Sequence, residues 1–137
     1  MPNFAPIFTK VARAAWATLT AANTAKDGTG TTALVMTADA TEGGNLGAIV
    51  CEPLGTNVAT VLRVFLNNGS TPGTAANNTL IGQIALPATT LSETSTATMQ
   101  AVERIFNRPI PPGYRVYACL ATAVAAGWQI TTVSGDY

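Results

Sequence analysis

The sequence predicts an all-β fold, a single β-sandwich of about eight strands led by an extended N-terminal arm, and three observations predict it. Short runs rich in Thr, Val, Ala and Leu recur between clusters of Gly, Pro, Asn and Asp, at the spacing of about 8–12 residues that marks sandwiches and barrels. No window keeps apolar residues at i, i+3, i+4 and i+7 through three turns, so the pattern is not that of an amphipathic helix. The chain has 137 residues, enough to bury one core.

The first strand-like run is Val11 to Leu19, "VARAAWATL". Its alanines leave a helix open, but the turn-rich "NTAKDGTG" follows too soon for a long one. Thr31 to Thr37 is the second run, closed by "DATEGG". Leu46 to Leu54 is the third, with Pro53 marking its end or an edge. The fourth, Val58 to Leu66, is the clearest. There Val58, Thr60, Leu62, Val64 and Leu66 share one face, and Ala59, Val61, Arg63 and Phe65 share the other. A strand apolar on both sides is expected at the centre of a sheet, between two layers, with Arg63 reaching a rim. "NNGSTPGTAANN" is then a loop with strong turn formers. Thr79 to Leu86 is the fifth run, stopped by Pro87, and the polar "ATTLSETS" leads to the sixth, Thr96 to Phe106. "NRPIPPGY" reads as a rigid turn, since its prolines lack backbone donors. Tyr114 to Ala121 and Trp128 to Val133 complete the set, on either side of the bend "TAVAAG". The division is an arm over residues 1–10 and a sandwich over residues 11–137. Length and strand count make the sandwich jelly-roll-like, with the strand order left open.

Composition narrows the chemistry. Charged residues make up only 10% of the chain and cancel to zero net charge, against about a quarter in ordinary globular chains. Nucleic acid is not an expected partner, because neutralising phosphates needs clustered Lys and Arg. No apolar run approaches the roughly 20 residues of a membrane span, and no basic-then-apolar leader is visible, so no membrane partner is expected and synthesis in a cytoplasm is the default. Asn68-Gly69-Ser70 and Asn77-Asn78-Thr79 match glycosylation triplets but read as loop chemistry.

Histidine is absent, which removes every triad built on it. The acids Asp27, Asp39, Glu42, Glu52, Glu93, Glu103 and Asp136 are scattered, and Asp39 with Glu42 reads as a solvated turn rather than a facing pair. Cys51 and Cys119 lie inside strand-like runs and read as buried, inert thiols; a disulfide requires their strands to pair. Without histidine or a CxxC pair no metal is expected. "DGTGT" lacks both the GK[ST] ending of a phosphate loop and the later acids of an EF-hand. No cofactor and no enzymatic activity are therefore expected. Trp16 and Trp128 are the residues a carbohydrate-binding face would use, but each sits in an apolar run and is expected in the core. Tyr114, after Pro-Pro-Gly, is placed to staple a turn.

One resemblance adds to this reading. The "ANTAKDGTGT" stretch after an early strand bearing Trp16, the arginine-bearing "VLRVFLNNGS", the "PIPPGYRVYA" turn and strand, and the closing Gly-Asp-Tyr resemble small structural proteins from the virion modules of tailed bacteriophages. The resemblance covers Trp16 to Tyr137 in loose motifs, none of them catalytic. It implies a virion component, a decoration or cement protein on the capsid exterior, with a tail-associated part as the alternative and a host-attachment carbohydrate module behind it. It further implies a homo-oligomer, a trimer at local threefold positions, with the major capsid protein as partner. The expected contact elements are Pro2, Phe4, Ile7, Phe8 and Lys10 of the arm and Asp27, Gly28 and Thr29 of the "DGTG" loop.

Overall fold

In a computed structural model, residues 9–137 are described. Eight strands follow one another: β1 (Val11–Leu19), β2 (Ala33–Thr37), β3 (Gly44–Pro53), β4 (Thr60–Asn67), β5 (Asn78–Leu86), β6 (Val102–Ile110), β7 (Arg115–Leu120) and β8 (Trp128–Asp136), with one turn of 3-10 helix at Ala75–Asn77. They form two antiparallel sheets of four, ordered β1-β8-β3-β6 and β2-β7-β4-β5. These face each other as a β-sandwich. Each strand of the first half thus pairs with its mirror in the second half: β1 with β8, β2 with β7, β3 with β6 and β4 with β5.

Alternation builds the core. From the first sheet, Trp128 and Ile130 of β8 and Leu46, Ile49 and Cys51 of β3 point inward; Leu62, Val64, Val116, Ala118 and Leu120 of β4 and β7 meet them. Each fully buried large side chain contributes about 1.5–3 kcal/mol. Thr132 places the only hydroxyl of this stretch of β8 inside, and its Oγ1 donates to the Val35 carbonyl of the opposite sheet. At the β5–β6 side the sandwich is closed by Arg104 and Phe106. The guanidinium lies 5.1 Å from the Phe106 ring centre and donates to the Gln83 carbonyl at 2.9 Å. Gly82 lies beneath them, where a Cβ would sit 3.0 Å from the Phe106 ring, a tight contact.

Several boundaries move from the expected ones. Thr31 and Thr32 belong to the loop before β2, and Thr96 to Ala101 belong to the connection before β6. The "NRPIPPGY" stretch is only half a turn. β6 runs on through Pro109 to Ile110, and Asn107 takes a positive φ of 47° beside a register shift. Pro109 is tolerated there because β6 is an edge strand and needs no donor on its open side. The tight turn is left to Pro111 through Tyr114, closed by the Tyr114 amide on the Pro111 carbonyl at 3.1 Å. β8 likewise extends past Val133 to Asp136, held between β1 and β3.

Candidate interaction surface

The two outer faces of the sandwich are built alike and finished differently. On the second sheet, Val61, Arg63, Phe65 and Asn67 of β4 point away from the core, as does Cys119 of β7 opposite Arg63. Phe65 is nevertheless 1% exposed and Cys119 2% exposed. Their cover is the loop between β1 and β2. Its Asn23 amide donates to the Leu120 carbonyl at 2.7 Å beside β7. Arg63 then reaches the Asn23 carbonyl at 3.5 Å, and Asn78, at the start of β5, donates to the Asp27 carbonyl at 3.2 Å. The loop thereby crosses β4 from β7 to β5.

Asn23 ties the neck of the loop. Its Nδ2 donates to the carbonyls of Thr29 and Thr31, and its Oδ1 accepts from the Ala25 amide. The expected contact residues Asp27, Gly28 and Thr29 form the tip. Asp27 accepts from the Thr29 hydroxyl at 2.6 Å and the Thr29 amide at 3.0 Å. The Thr29 hydroxyl bond, then the amide bond, holds the Asp27 carboxyl below its ordinary range. Gly28 takes φ +82° and lies against Asn78, where a Cβ would approach the Asn78 Cβ to 2.7 Å. The tip is thus bonded to its own domain, and "DGTG" is a lid-tying turn.

On the first sheet the Thr9 side chain lies over Gly135, where a Cβ would meet its Cβ at 2.6 Å, and the apolar side chains of the neighbouring rows stand open. Pairing registers put Ala14, Val133, Ala48 and Ile105 in one row across β1, β8, β3 and β6, and Trp16, Thr131, Val50 and Glu103 in the next. Ala12, Gly135, Asn45 and Pro109 form the row on the other side. Ile105 is 71% exposed, Trp16 65% and Val133 53%. Trp16 is therefore corrected from core to surface. β1 runs in period two, its outward positions are Ala12, Ala14, Trp16 and Thr18, and nothing in the sequence says which parity faces solvent. Trp128 is fully buried, as expected. Ile105 and Val133 escaped the sequence reading for the same reason: alternation defines two faces without naming the outer one.

The other expected site residues divide. Lys10 is exposed at the end of the first sheet, 3.5 Å from Glu42, and is not brought together with the Asp27 loop over the second sheet. Beside it, Arg13 pins β1 to β8 through Asp136 at 2.6 Å. Pro2, Phe4, Ile7 and Phe8 lie outside the described residues. Asp39 accepts from the Glu42 and Thr41 amides. These two bonds, with Glu42 the larger influence, lower its carboxyl's pKa and make it a turn cap. Cys51 and Cys119 are free and buried in strands of different sheets, which do not pair. Burial pushes the Cys51 thiol up to about 12 and raises Cys119, with Arg63 opposing. Neither is a ready thiolate at neutral pH.

Among the described residues, no group of three or more His, Cys, Asp or Glu is placed to hold a metal, and no helix is long and apolar enough to cross a membrane. Cavities among the described residues include one of about 190 Å³ beside Tyr114 and the Asn68–Asn77–Asn78 corner and one of about 240 Å³ at the foot of the loop over Cys119. Both are smaller than the ~300–1,000 Å³ of ordinary ligand pockets. The open apolar rows of the first sheet are the larger feature, and contiguous exposed apolar surface of this kind marks contact sites. No family model, no curated protein and no solved structure matches the chain.

Proposed function

We propose that this protein is a non-enzymatic structural subunit of a tailed-bacteriophage virion, a decoration protein that binds and stabilises the capsid exterior as a homo-oligomer. The observation that carries the reading of an assembly part is the outer face of the first sheet, where Trp16, Ile105 and Val133 stand exposed among alanines. The low charge of the chain supports it, since few groups need desolvating at a contact. The sheet orders support a jelly roll as the finer fold. Strands pairing first with last, second with seventh, third with sixth and fourth with fifth describe a hairpin rolled once upon itself. That scaffold is common in capsid and lectin domains. The virion itself comes from the sequence resemblance. The mechanism is mass action: a subunit that binds only the assembled shell stabilises it by RT ln(1 + [L]/Kd).

Gold-labelled antibody staining of intact and opened virions tests this reading. Label spread over the head is the expected result. Label confined to the tail moves the protein to the tail-associated alternative, and absence of label from both preparations overturns the virion reading.

A further inference from the structure

We infer that the open edge of β1 pairs with the same edge of a second copy, in an antiparallel two-fold contact centred on Ala15 that joins the first sheets of two subunits. The contact lies at the edge of the sheet, not on its face. It makes the homo-oligomer two-fold rather than threefold, and it stands whether or not that oligomer belongs to a virion.

The register assigns the backbone groups. In an antiparallel pair, residues alternate between bonding to the neighbouring strand and pointing both amide and carbonyl the other way. Thr132 Oγ1 donates to the Ala15 carbonyl at 3.2 Å, and Ser134 Oγ donates to the Arg13 carbonyl at 3.4 Å. Arg13 and Ala15 therefore face β8, opposite their register partners. Ala12, Ala14, Trp16 and Thr18 then direct amide and carbonyl to the open side, where β1 ends the sheet. All four residues are exposed, and these groups have no partner among the described residues.

The other edges are guarded. β6 carries Pro109, the positive φ of Asn107 and the charges of Glu103, Arg104 and Arg108. β2 is five residues long and shifts register between Leu34 and Met36. β5 pairs through a register shift, and the Arg104 guanidinium bonds its Gln83 carbonyl. Prolines, charges, bulges and short length are what keep an edge from pairing. β1 runs nine residues with no proline, glycine or register shift. Its one charge, Arg13, is tied to Asp136.

Symmetry names the occupant. The four open residues lie evenly about Ala15, the middle of the strand. A two-fold axis there sets Ala12 against Thr18 and Ala14 against Trp16 as bonded pairs, so every open amide meets an open carbonyl. Between them Val11 meets Leu19, Arg13 meets Ala17 and Ala15 meets its copy, with no like charges directly opposite. Moving the axis to Ala14 sets Thr18 against Lys10, where the chain bends. Moving it to Trp16 sets indole against indole and Ala12 against Thr20, beyond the strand. A contact of this isologous kind closes after two copies.

Light scattering and amide hydrogen exchange of the full chain across a concentration series test the pairing. The expected mass rises from 14.0 kDa to twice that value, with a Kd of about 1–100 μM for a strand-edge contact smaller than a standard interface. Protection of the Ala12, Ala14, Trp16 and Thr18 amides should rise in step, while Arg13 and Ala15 stay protected throughout. Ala14→Pro removes an amide that the ladder to β8 does not use. It should raise the Kd about tenfold or more, with circular dichroism checking that the variant folds. Ala15→Cys sets two thiols in a non-hydrogen-bonded pair with Cα atoms about 4.5 Å apart, close enough for a disulfide. Oxidation should therefore join two copies, since both native cysteines are buried. Thr79→Cys, on the edge of the second sheet, should not be joined. A monomer at every concentration overturns the pairing, as does a dimer joined through Thr79→Cys but not Ala15→Cys. A folded Ala14→Pro chain that associates as tightly as the native one overturns it too. A monomer whose four open-edge amides are protected at every concentration, and released when residues 1–8 are removed, overturns it and assigns the edge to that segment. A dimer with no virion label fails the virion reading while the pairing stands, and a labelled virion with a monomeric chain fails the pairing alone.

Discussion

The outer face of the second sheet and the outer face of the first carry similar apolar side chains and meet different fates. Phe65 points away from the core and is 1% exposed, whereas Ile105, equally outward on the other sheet, is 71% exposed. The cause is a connection, not a composition. The chain between β1 and β2 passes from one sheet to the other, and on its way it folds over β7, β4 and β5, tied by Asn23, Arg63 and Asn78. Over the first sheet the Thr9 side chain covers Gly135, while Trp16, Ile105 and Val133 stay exposed. An apolar residue facing outward on a sandwich is therefore a request for cover. In this molecule one request is met within the chain, and the other is the surface proposed for assembly.

The largest expected effect breaks the covered side. Phe65→Ala removes a buried ring between sheet and loop and should cost about 3–5 kcal/mol, as for other buried aromatic truncations, read as a lowered midpoint in urea unfolding. Next, Asn23→Ala leaves the loop neck without its carbonyl and amide partners. It should cost about 1–3 kcal/mol and speed proteolysis between Thr20 and Thr32 more than elsewhere. On the open side, Trp16→Ser should change the stability of the dissociated chain by no more than about 0.5 kcal/mol. That measurement belongs at the lowest workable protein concentration, where association adds nothing to the unfolding free energy. An equal cost for Phe65→Ala and Trp16→Ser would erase the contrast between the faces.

The smallest effect sharpens it. The Asp27 pKa is lowered from 3.8 by the Thr29 bonds. A carboxyl depressed on folding contributes stability that is complete above its unfolded value and is lost as pH falls through the folded one. The Thr29 amide resonance should hence titrate below pH 3.8, with the loop tip loosening as it does. Amides in the Ala14–Val133 row, which bear no carboxylate, should stay still. Thr29 titrating at or above the ordinary carboxyl range would remove the Asp27 tie.

Most of the fold was legible because strands announce themselves locally. Turn clusters and period-two runs located all eight strands, and β1 and β5 came out within a residue of their observed bounds. The misses came where neighbours overrode local chemistry. Pro109 reads as a turn residue, yet an edge strand lets it stay in the ladder. "SGDY" reads as a tail, yet β8 continues through it because β1 and β3 flank it on both sides. The fourth run reads as a strand between two layers. One layer is the opposite sheet and the other is a loop, which periodicity does not distinguish. The site was less legible. "DGTG" is conspicuous as a turn and proves to be tied to its own domain, while the open apolar rows are drawn from β1, β3, β6 and β8, far apart in sequence.

The sequence by itself determined that this chain is all β, where its strands lie, that its thiols sit inside strands, and that no histidine-based chemistry is open to it. These follow from side-chain alternation, turn residues and composition, each local to a few residues. Only the tertiary structure decided the order of the strands, the burial of Phe65, the exposure of Trp16, and the row in which Ala14, Val133, Ala48 and Ile105 meet. Those depend on register between distant strands and on which face a loop happens to cover. A period of two separates one side of a strand from the other, and long-range pairing assigns each side to core, loop or water.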